Sequence, residues 1–346
     1  MSNISKRWGA LGLAAAVIGS AVSFSGNANA QATVDAIRKR DKVLCGVAPS
    51  SAGFSFADNR GIVRGFDADI CRAVAAAIFG TPDKVQYVSL TTQVRFQALQ
   101  SGEVDLLSRQ STMTFSRDVS LGLSFGPTVF YDGQGLMVAK KLGVNSALEL
   151  KGAAICTQPG TTTLQNLEDF FKTNNIKYEA VLFENPDEWR NAFFSGRCDA
   201  LTTDRSDLAS ARAVANNPAD FVVLPETISK EPLAPVMRQG DDNWRKVIAW
   251  TVNALFTAEE KGITAATVDA ALQSKDPEVQ RLMGVTGDFG KMLGLDNRWA
   301  YNAIKAVGNY EEIFERNLGP KTPLGLTRGP NVQWTKGGLL YSPPFR

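Results

Sequence analysis

The sequence predicts an α/β fold built as two similar lobes, and three observations support that prediction. Short apolar runs alternate with helical patterns along the chain, which is typical of sheets covered by helices. A helix, a Ser-Gly stop and a buried strand at 97–107 return in the same order at 191–201. A chain of 346 residues is also long enough for two domains, each with its own core.

The first 30 residues have the pattern of a secretory signal peptide. Lys6 and Arg7 precede an apolar run at 8–24, and Ala28-Asn29-Ala30 offers small residues for cleavage after Ala30. The apolar run is short for a membrane span. An uncleaved signal anchor is the alternative. We therefore expect an exported protein that begins at residue 31.

Composition excludes several classes of function. The chain contains no histidine, which excludes Ser-His-Asp and Cys-His catalysis and removes the commonest zinc ligand. Without Lys6 and Arg7, 35 basic residues balance 35 acidic ones, which argues against binding to nucleic acid. The four cysteines form no Cys-x-x-Cys pair, so we predict neither a metal site nor a cofactor. An even number in an exported protein indicates two disulfides, for which three pairings are possible.

Two rounds of strands and helices can be followed along the chain. The first round has predicted strands at 43–47, 85–90 and 104–107, with a helix after 67, which Asp67 is predicted to cap, and another at 93–100. The second round has strands at 153–157, 179–183, 198–201 and 221–224, with helices at 164–171, 186–194 and 208–214.

Extended apolar segments at 135–139 and 233–237 lie between and after the two rounds. If both cross between lobes, lobe 2 (136–233) is inserted within lobe 1 (31–135 and 234–346), and a cleft separates them. Two domains in series are the alternative. The tail from 271 to 346 has helical patterns at 279–283, 299–307 and 311–317, then a Gly- and Pro-rich end that we expect to wrap over a surface.

Several short motifs in order resemble a known family. They are Gly65-Phe66-Asp67-Ala68-Asp69, Ser-Gly-Glu-Val-Asp at 101–105, Thr112 with Arg117, Pro159-Gly160-Thr161-Thr162, Gly-Arg-Cys-Asp-Ala at 196–200 and the ending 337–346. From about residue 34 onward the chain resembles the polar amino-acid solute-binding proteins and, within them, the general L-amino-acid-binding proteins of ABC importers. The resemblance implies a two-lobed periplasmic-binding-protein fold with two hinge strands. It also implies a periplasmic monomer that captures free L-amino acids and delivers them to membrane permease subunits.

An amino-acid receptor must satisfy a carboxylate and an ammonium group. Arg117 can hold the carboxylate bidentately, and the resemblance adds the backbone N–H of Thr112. Thr162 lies where a helix start offers further N–H donors, although threonines there also serve as helix caps. Asp204 follows a strand and is the expected partner of the ammonium. Its counterpart in the first round is Gln110, another ligand position in the family.

The expected specificity positions carry small residues. Relatives with narrow specificity often place aromatic rings where this chain has Ser51 and Thr92, so we expect a roomy pocket and a broad amino-acid spectrum. Phe54 is predicted either as a pocket wall or as a core residue. Arg109 could bind an acidic ligand side chain, but pairing with an acid of its own lobe is favoured. Asp199 is expected to be structural.

Pairing of the cysteines within lobes would leave a hinge free to move, so we predict Cys45–Cys71 and Cys156–Cys198.

The alternative function is a periplasmic enzyme on the same fold, similar to cyclohexadienyl dehydratase. A carboxylic acid such as Glu184 or Asp204 would then act as general acid. We see no added acid pair that supports it and predict a binding protein rather than an enzyme.

Overall fold

A computed structural model describes residues 32–346. The predicted signal peptide and its cleavage site lie outside these residues. Within them, no helix combines the length and the apolar character that crossing a membrane requires.

The described chain alternates strands and helices. The strands are β1 (Val43–Val47), β2 (Phe56–Ala57), β3 (Val63–Arg64), β4 (Val85–Ser89), β5 (Leu106–Leu107), β6 (Leu123–Phe125), β7 (Phe130–Asp132), β8 (Gln134–Ala139), β9 (Ala154–Thr157), β10 (Glu179–Leu182), β11 (Ala200–Asp204), β12 (Phe221–Val223), β13 (Glu231–Leu233) and β14 (Val236–Arg238). The helices are α1 (Ala32–Arg40), α2 (Phe66–Phe79), α3 (Arg95–Ser101), α4 (Phe115–Ser120), α5 (Thr162–Thr173), α6 (Pro186–Phe194), α7 (Arg205–Ala213), α8 (Asp242–Glu260), α9 (Val268–Ala271), α10 (Pro277–Leu282), α11 (Phe289–Met292), α12 (Trp299–Val307) and α13 (Tyr310–Asn317).

Two five-stranded sheets form the centres of the two lobes. Their orders are β4-β1-β5-β14-β6 and β10-β9-β11-β8-β12. In each sheet the first three strands are parallel, and a crossing strand, β14 or β8, pairs antiparallel with both of its neighbours. The identical pattern confirms the predicted α/β fold with two similar lobes.

The repeated sequence pattern at 97–107 and 191–201 corresponds to the same hydrogen bond in each lobe. In the first lobe, the Asp105 carboxylate accepts a hydrogen bond of 2.8 Å from the N–H of Leu44 on β1. In the second, the Asp199 carboxylate accepts one of the same length from the N–H of Ala154 on β9. Each aspartate therefore joins the loop before one strand to the start of its neighbour, which is the structural role expected for Asp199.

The chain crosses between the sheets twice. Strands β7 and β13 pair as a separate antiparallel ribbon, with Asp132 opposite Glu231 and Phe130 opposite Leu233. β8 leads from this ribbon into the second sheet, and β14 returns the chain to the first. Strands of the second sheet are thus flanked in sequence by strands of the first. The limits 31–135, 136–233 and 234–346 remain a prediction, and β8 already begins at Gln134.

Both predicted disulfides are present within the lobes. Cys45 on β1 is bonded to Cys71 on α2, with 6.3 Å between their Cα atoms. Cys156 on β9 is bonded to Cys198 beside β11, with 5.7 Å between their Cα atoms. Each bond joins a strand to an element packed against it, so neither restrains one lobe relative to the other.

The tail packs on the first lobe and reaches the crossing ribbon. Its helices α10, α12 and α13 lie where the sequence predicts them, and Tyr310, the first residue of α13, is buried against Phe66 and Phe256. The Asn331 side chain accepts from the N–H of Tyr131 at 2.7 Å and donates to its carbonyl at 3.0 Å. The 19-residue helix α8 runs through this core and is absent from the predicted elements.

The predicted capping role of Asp67 is wrong. Gly65, with a φ of 130°, precedes helix α2, and Asp67 lies inside the first turn. Its carboxylate is buried and accepts from the hydroxyl of Ser108 at 3.2 Å. Burial raises the pKa of Asp67 to about 7.

Candidate functional site

A cavity between the two lobes brings together residues from both rounds of the sequence. It has an empty volume of about 570 Å³, part of which opens to solvent. Six of the predicted ligand residues line it: Ser51, Thr92, Gln110, Thr112, Thr162 and Asp204. The remaining two, Arg117 and Phe54, do not line it.

Asp204 carries a buried carboxylate at the carboxyl end of β11. Its side chain is 7% exposed, and within residues 32–346 no donor hydrogen-bonds to it. Burial, followed by the negative charges of Asp132, Glu231 and Asp207, raises the pKa of Asp204 well above its ordinary value, and Arg95 opposes this. A cationic ligand group at this position would stabilise the ionised carboxylate.

Thr112 and Thr162 present backbone donors from opposite lobes. Thr112 lies in the loop before α4 and forms a bridge with Leu233, while Thr162 is the first residue of α5. Thr161 caps α5 through its hydroxyl, so the alternative of capping by Thr162 does not apply. In the described part of the chain neither the N–H of Thr112 nor that of Thr162 donates to a protein acceptor. Both remain available for an anion.

Gln110 occupies a strained backbone position on the cavity wall. Its φ of 40° places it in the left-handed region, which costs a residue with a side chain free energy. The side-chain Nε2 is buried and has no hydrogen-bond partner among the described residues. Strain together with an unsatisfied donor indicates a position kept for ligand contact rather than for stability.

Arg117 lies at the edge of this arrangement. Its guanidinium is buried, donates a 3.0 Å hydrogen bond to the carbonyl of Thr112 and lies over the ring of Phe96. Burial lowers the pKa of Arg117, and the charges of Glu231 and Asp204 raise it. The structure therefore joins Arg117 to Thr112, but its contact with a ligand remains a prediction.

Arg95 also lines the cavity, and the sequence analysis did not identify it. The side chain is 3% exposed, its Nε is buried without a partner, and among residues 32–346 its guanidinium donates no hydrogen bond. Burial, and then the positive charges of Arg109 and Arg117, lower the pKa of Arg95 well below its ordinary value, while Asp204 raises it. In sequence it appears only as an ordinary residue at the start of a helix.

Arg109 lines the cavity too, but it forms no ion pair in the described chain. The favoured pairing with an acid of its own lobe is therefore wrong as a direct contact. Its Nε donates instead to the carbonyl of Leu90 at 2.7 Å. Burial lowers the pKa of Arg109 to about 10, opposed by Asp207 and Asp67.

Ser51 and Thr92, at the two expected specificity positions, connect the lobes directly. The hydroxyl of Ser51 donates to Asp207 at 2.9 Å, and that of Thr92 donates to the carbonyl of Pro159 at 3.0 Å. Arg190 also crosses the cleft, with hydrogen bonds of 2.9 Å to the carbonyl and hydroxyl of Ser50. The two lobes are thus in contact along the cleft.

Phe54 belongs to the core of the first lobe. It is 1% exposed and packs edge-to-face against Phe66 and Phe130. Of the two roles that the sequence left open for Phe54, the structure supports the core residue.

The cavity combines an unpaired anion with unpaired cations. Asp204 can meet a cationic group, while Arg95 and the free N–H groups of Thr112 and Thr162 can meet anionic ones. In the part of the chain that the structure describes, no cluster of Cys, Asp and Glu side chains could hold a metal ion. The arrangement therefore suits a small dipolar molecule.

Comparison with known proteins identifies the family. The sequence pattern of the family described as bacterial extracellular solute-binding proteins, family 3, matches residues 43–267 of this chain. The glutamate/glutamine/aspartate/asparagine-binding protein of Rhodobacter capsulatus is 52% identical over 340 residues, covering 98% of both chains. The general L-amino acid-binding periplasmic protein of Rhizobium johnstonii is 52% identical, covering 96% of this chain and 99% of its own.

A solved structure agrees over nearly the whole chain. A periplasmic binding protein from Brucella ovis, with glutathione bound, shares 50% identity and a TM-score of 0.89, covering 91% of this chain and 99% of its own. These relatives are binding proteins, as predicted, and not enzymes. The resemblance stated from the sequence motifs is confirmed. The chain belongs to the bacterial extracellular solute-binding proteins of family 3.

Proposed function

We propose that this protein is the solute-binding component of an ABC importer and captures L-amino acids of several kinds by closure of its two lobes. The observation that carries the proposal is the Asp204 carboxylate, which is 7% exposed on the cavity wall and accepts no hydrogen bond within the described chain, together with Arg95 on the same wall. The ammonium of a zwitterion would supply the partner that Asp204 lacks, and an acidic ligand side chain would supply one for Arg95. The names of the Rhodobacter and Rhizobium relatives support the same ligand class.

In the proposed binding mode, the amino acid bridges the two lobes, and its carboxylate is held by both. The carboxylate accepts hydrogen bonds from Arg117 and from the N–H groups of Thr112 and Thr162. The ammonium lies beside Asp204, and the unpartnered Nε2 of Gln110 donates to an acceptor atom of the ligand. A ligand that bridges the walls binds the closed form more tightly than the open one, so it shifts the population toward closure.

Breadth of specificity follows from the remaining lining. Ser51 and Thr92 are small, and the ligand side chain would meet polar groups of both signs, including Arg95, Arg109 and Asp207. Such a lining can pair with acidic and amide side chains and leaves room for others. The Rhodobacter relative, named for two acidic amino acids and their amides, supports this inference.

The remaining parts of the proposal concern location and partners. A signal peptide cleaved after Ala30 would deliver the protein to the periplasm, consistent with an extracellular family. There we expect a monomer that presents its closed lobes to the permease subunits of the importer. No nucleic acid and no cofactor enter this function.

The ligand class can be tested by thermal-shift screening of the mature protein against all twenty amino acids. Binding to the native state must raise the melting temperature, and we expect several amino acids to do so. Each amino acid that stabilises the protein is then compared with two analogues. In the first, the α-carboxylate is replaced by an uncharged carboxamide, and in the second, the α-carboxylate is absent. Both analogues should fail to stabilise the protein. Stabilisation by neither amino acids nor their analogues would refute the proposed function.

Arg117→Ala should weaken binding of every amino acid by a similar factor. The ligand carboxylate would lose its bidentate partner, at a cost of roughly 2–5 kcal/mol, or about 30-fold or more in Kd. Arg117→Lys should recover part of this loss because it restores the charge but not the fork. Isothermal calorimetry measures the effect, with Arg72→Ala on the surface of α2 as the control. Affinity within twofold of wild type would contradict the assignment of Arg117.

Binding should weaken as the pH falls. The ammonium requires ionised Asp204, whose pKa is raised in the free protein, so bound ligand lowers that pKa and releases a proton. We expect Kd to rise as the pH falls through this raised pKa, and calorimetry in buffers of different ionisation enthalpy to detect proton release.

The variant Asp204→Asn should bind weakly and show no proton release. Asp132, whose pKa is raised to about 6, is the confounding group because its charge acts on Asp204. Asp67, with a pKa of about 7, is not among the charges that raise the pKa of Asp204, so Asp67→Asn is the matched control and should retain the release. If Asp67→Asn lost the proton release while Asp204→Asn kept it, the released proton would come from Asp67, and our assignment to Asp204 would be wrong.

Arg95→Met should separate acidic ligands from neutral ones. We expect glutamate and aspartate to lose about tenfold or more in affinity, because a charged hydrogen bond is removed, while small neutral amino acids change by less than about threefold. Arg238→Met serves as the control, since Arg238 is in the same lobe but donates to the carbonyls of Leu99 and Val104 outside the cavity. Equal losses for acidic and neutral ligands would exclude a side-chain role for Arg95.

A further inference from the structure

Glu231 is a buried carboxylate at the hinge, and neither the sequence motifs nor the proposed binding mode includes it. It is the first residue of β13 and is 1% exposed. Its Oε2 accepts from the hydroxyl of Thr112 at 2.5 Å and from that of Thr162 at 3.0 Å. Its Oε1 accepts from the side chains of Asn166 at 2.7 Å and Ser229 at 2.6 Å.

These four donors come from different parts of the molecule. Thr112 belongs to the first lobe, Thr162 and Asn166 belong to α5 of the second, and Ser229 lies in the segment that leads into β13. One carboxylate of the crossing ribbon therefore holds both lobes at once. Its two acceptor oxygens are each used twice, which is the full capacity of a carboxylate.

We infer that Glu231 is a positioning residue that aligns the carboxylate-binding segments of the two lobes with each other. This inference rests on the proposed function, since it concerns how Thr112 and Thr162 are set for the ligand.

Thr112 and Thr162 each have two hydrogen-bond donors, the side-chain hydroxyl and the backbone N–H, and these two donors have different roles. Glu231 takes the hydroxyl groups of Thr112 and Thr162, while their backbone N–H groups have no protein acceptor in the described chain. A fixed hydroxyl restricts the χ1 rotation of a β-branched side chain and thereby the backbone that carries it. The two N–H groups are thus held ready to bind the same anion, with less conformational entropy left to lose.

An ionised side chain is needed for this arrangement. Glutamine at the same position would have only one acceptor oxygen, and its amide nitrogen would face a donor such as the Asn166 amide. The hydrogen bonds to an ionised acceptor are also stronger than those to a neutral one. A buried carboxylate without its donors is unfavourable, so Glu231 stabilises the state in which both lobes supply them.

The hydrogen bonds of Glu231 should affect the opening and closing of the two lobes. Opening of the cleft would move Thr162 and Asn166 away from Thr112, and Glu231 would lose donors from at least one lobe. The intact link therefore slows opening and retains the ligand. Loss of the link should act mainly on ligand dissociation, because encounter with the open form does not use it.

The test compares Glu231→Gln with wild type in two measurements. Stopped-flow kinetics with the amino acid that stabilises wild type most should show dissociation accelerated about tenfold or more, with association changed by less than about threefold. Small-angle X-ray scattering without ligand should show a larger radius of gyration for Glu231→Gln than for wild type. Saturating ligand should reduce that difference.

A double-mutant cycle distinguishes positioning from general destabilisation. If Glu231 acts through the hydroxyl of Thr112, then Thr112→Val alone should accelerate dissociation, and adding it to Glu231→Gln should have little further effect. Thr112→Val and Thr162→Val also keep the inference testable if Glu231→Gln does not fold.

Glu259→Gln is the matched control. Glu259 is another buried glutamate, but its partner is Arg328 at 3.0 Å within the first lobe. This variant should lower the melting temperature and leave both the dissociation rate and the scattering unchanged. Glu231→Gln with dissociation within about twofold of wild type and an unchanged radius of gyration would overturn the inference, as would tighter binding.

The two proposals fail in different ways. If wild type binds no amino acid, the proposed function is wrong, and the scattering comparison still tests whether Glu231 links the lobes. If wild type binds amino acids but Glu231→Gln behaves as wild type, only the role of Glu231 is wrong.

Discussion

The cavity between the lobes depends on one constraint, which is that charged groups buried without partners are unfavourable. Asp204 and Arg95 both lie on its wall. Within the described chain the Asp204 carboxylate accepts no hydrogen bond, and the Nε of Arg95 is buried without a partner. Proteins normally pair such groups or leave them in water. Here Asp204 and Arg95 form no ion pair with each other. A molecule that bridges the cleft can therefore gain binding free energy by pairing with both groups.

The two-lobed architecture creates this situation by repetition. Strands β5 and β11 occupy the same place in their sheets. Gln110, in the loop after β5, and Asp204, the last residue of β11, line one cavity from opposite lobes. The same offset relates Asp105 to Asp199, each of which accepts a hydrogen bond from the backbone of a neighbouring strand in its own lobe. One pair of repeated positions therefore has its partners within its own lobe, and the other pair lines the cavity between the lobes.

Most of the architecture could be predicted from the sequence, because strands and helices leave local periodic patterns. The within-lobe disulfides and the crossing segments followed from the order of those elements. Contacts distant in sequence could not be predicted in this way. Arg95 owes its importance to burial without a partner, and Glu231 to donors far along the chain. Asp67 was predicted as a helix cap, but Gly65 precedes α2 and Asp67 lies within its first turn. Helix α8 was missed, although Asp241 caps it.

The tail contributes a different property at the crossing ribbon. A ribbon of two strands has exposed edges, and an unpaired edge can recruit a strand from another molecule. The amide of Asn331 pairs with both the N–H and the carbonyl of Tyr131, as a neighbouring strand would. Those two groups of β7 are therefore no longer available to a foreign strand. Asn331 of the tail thus blocks the addition of another strand at this point of the crossing ribbon.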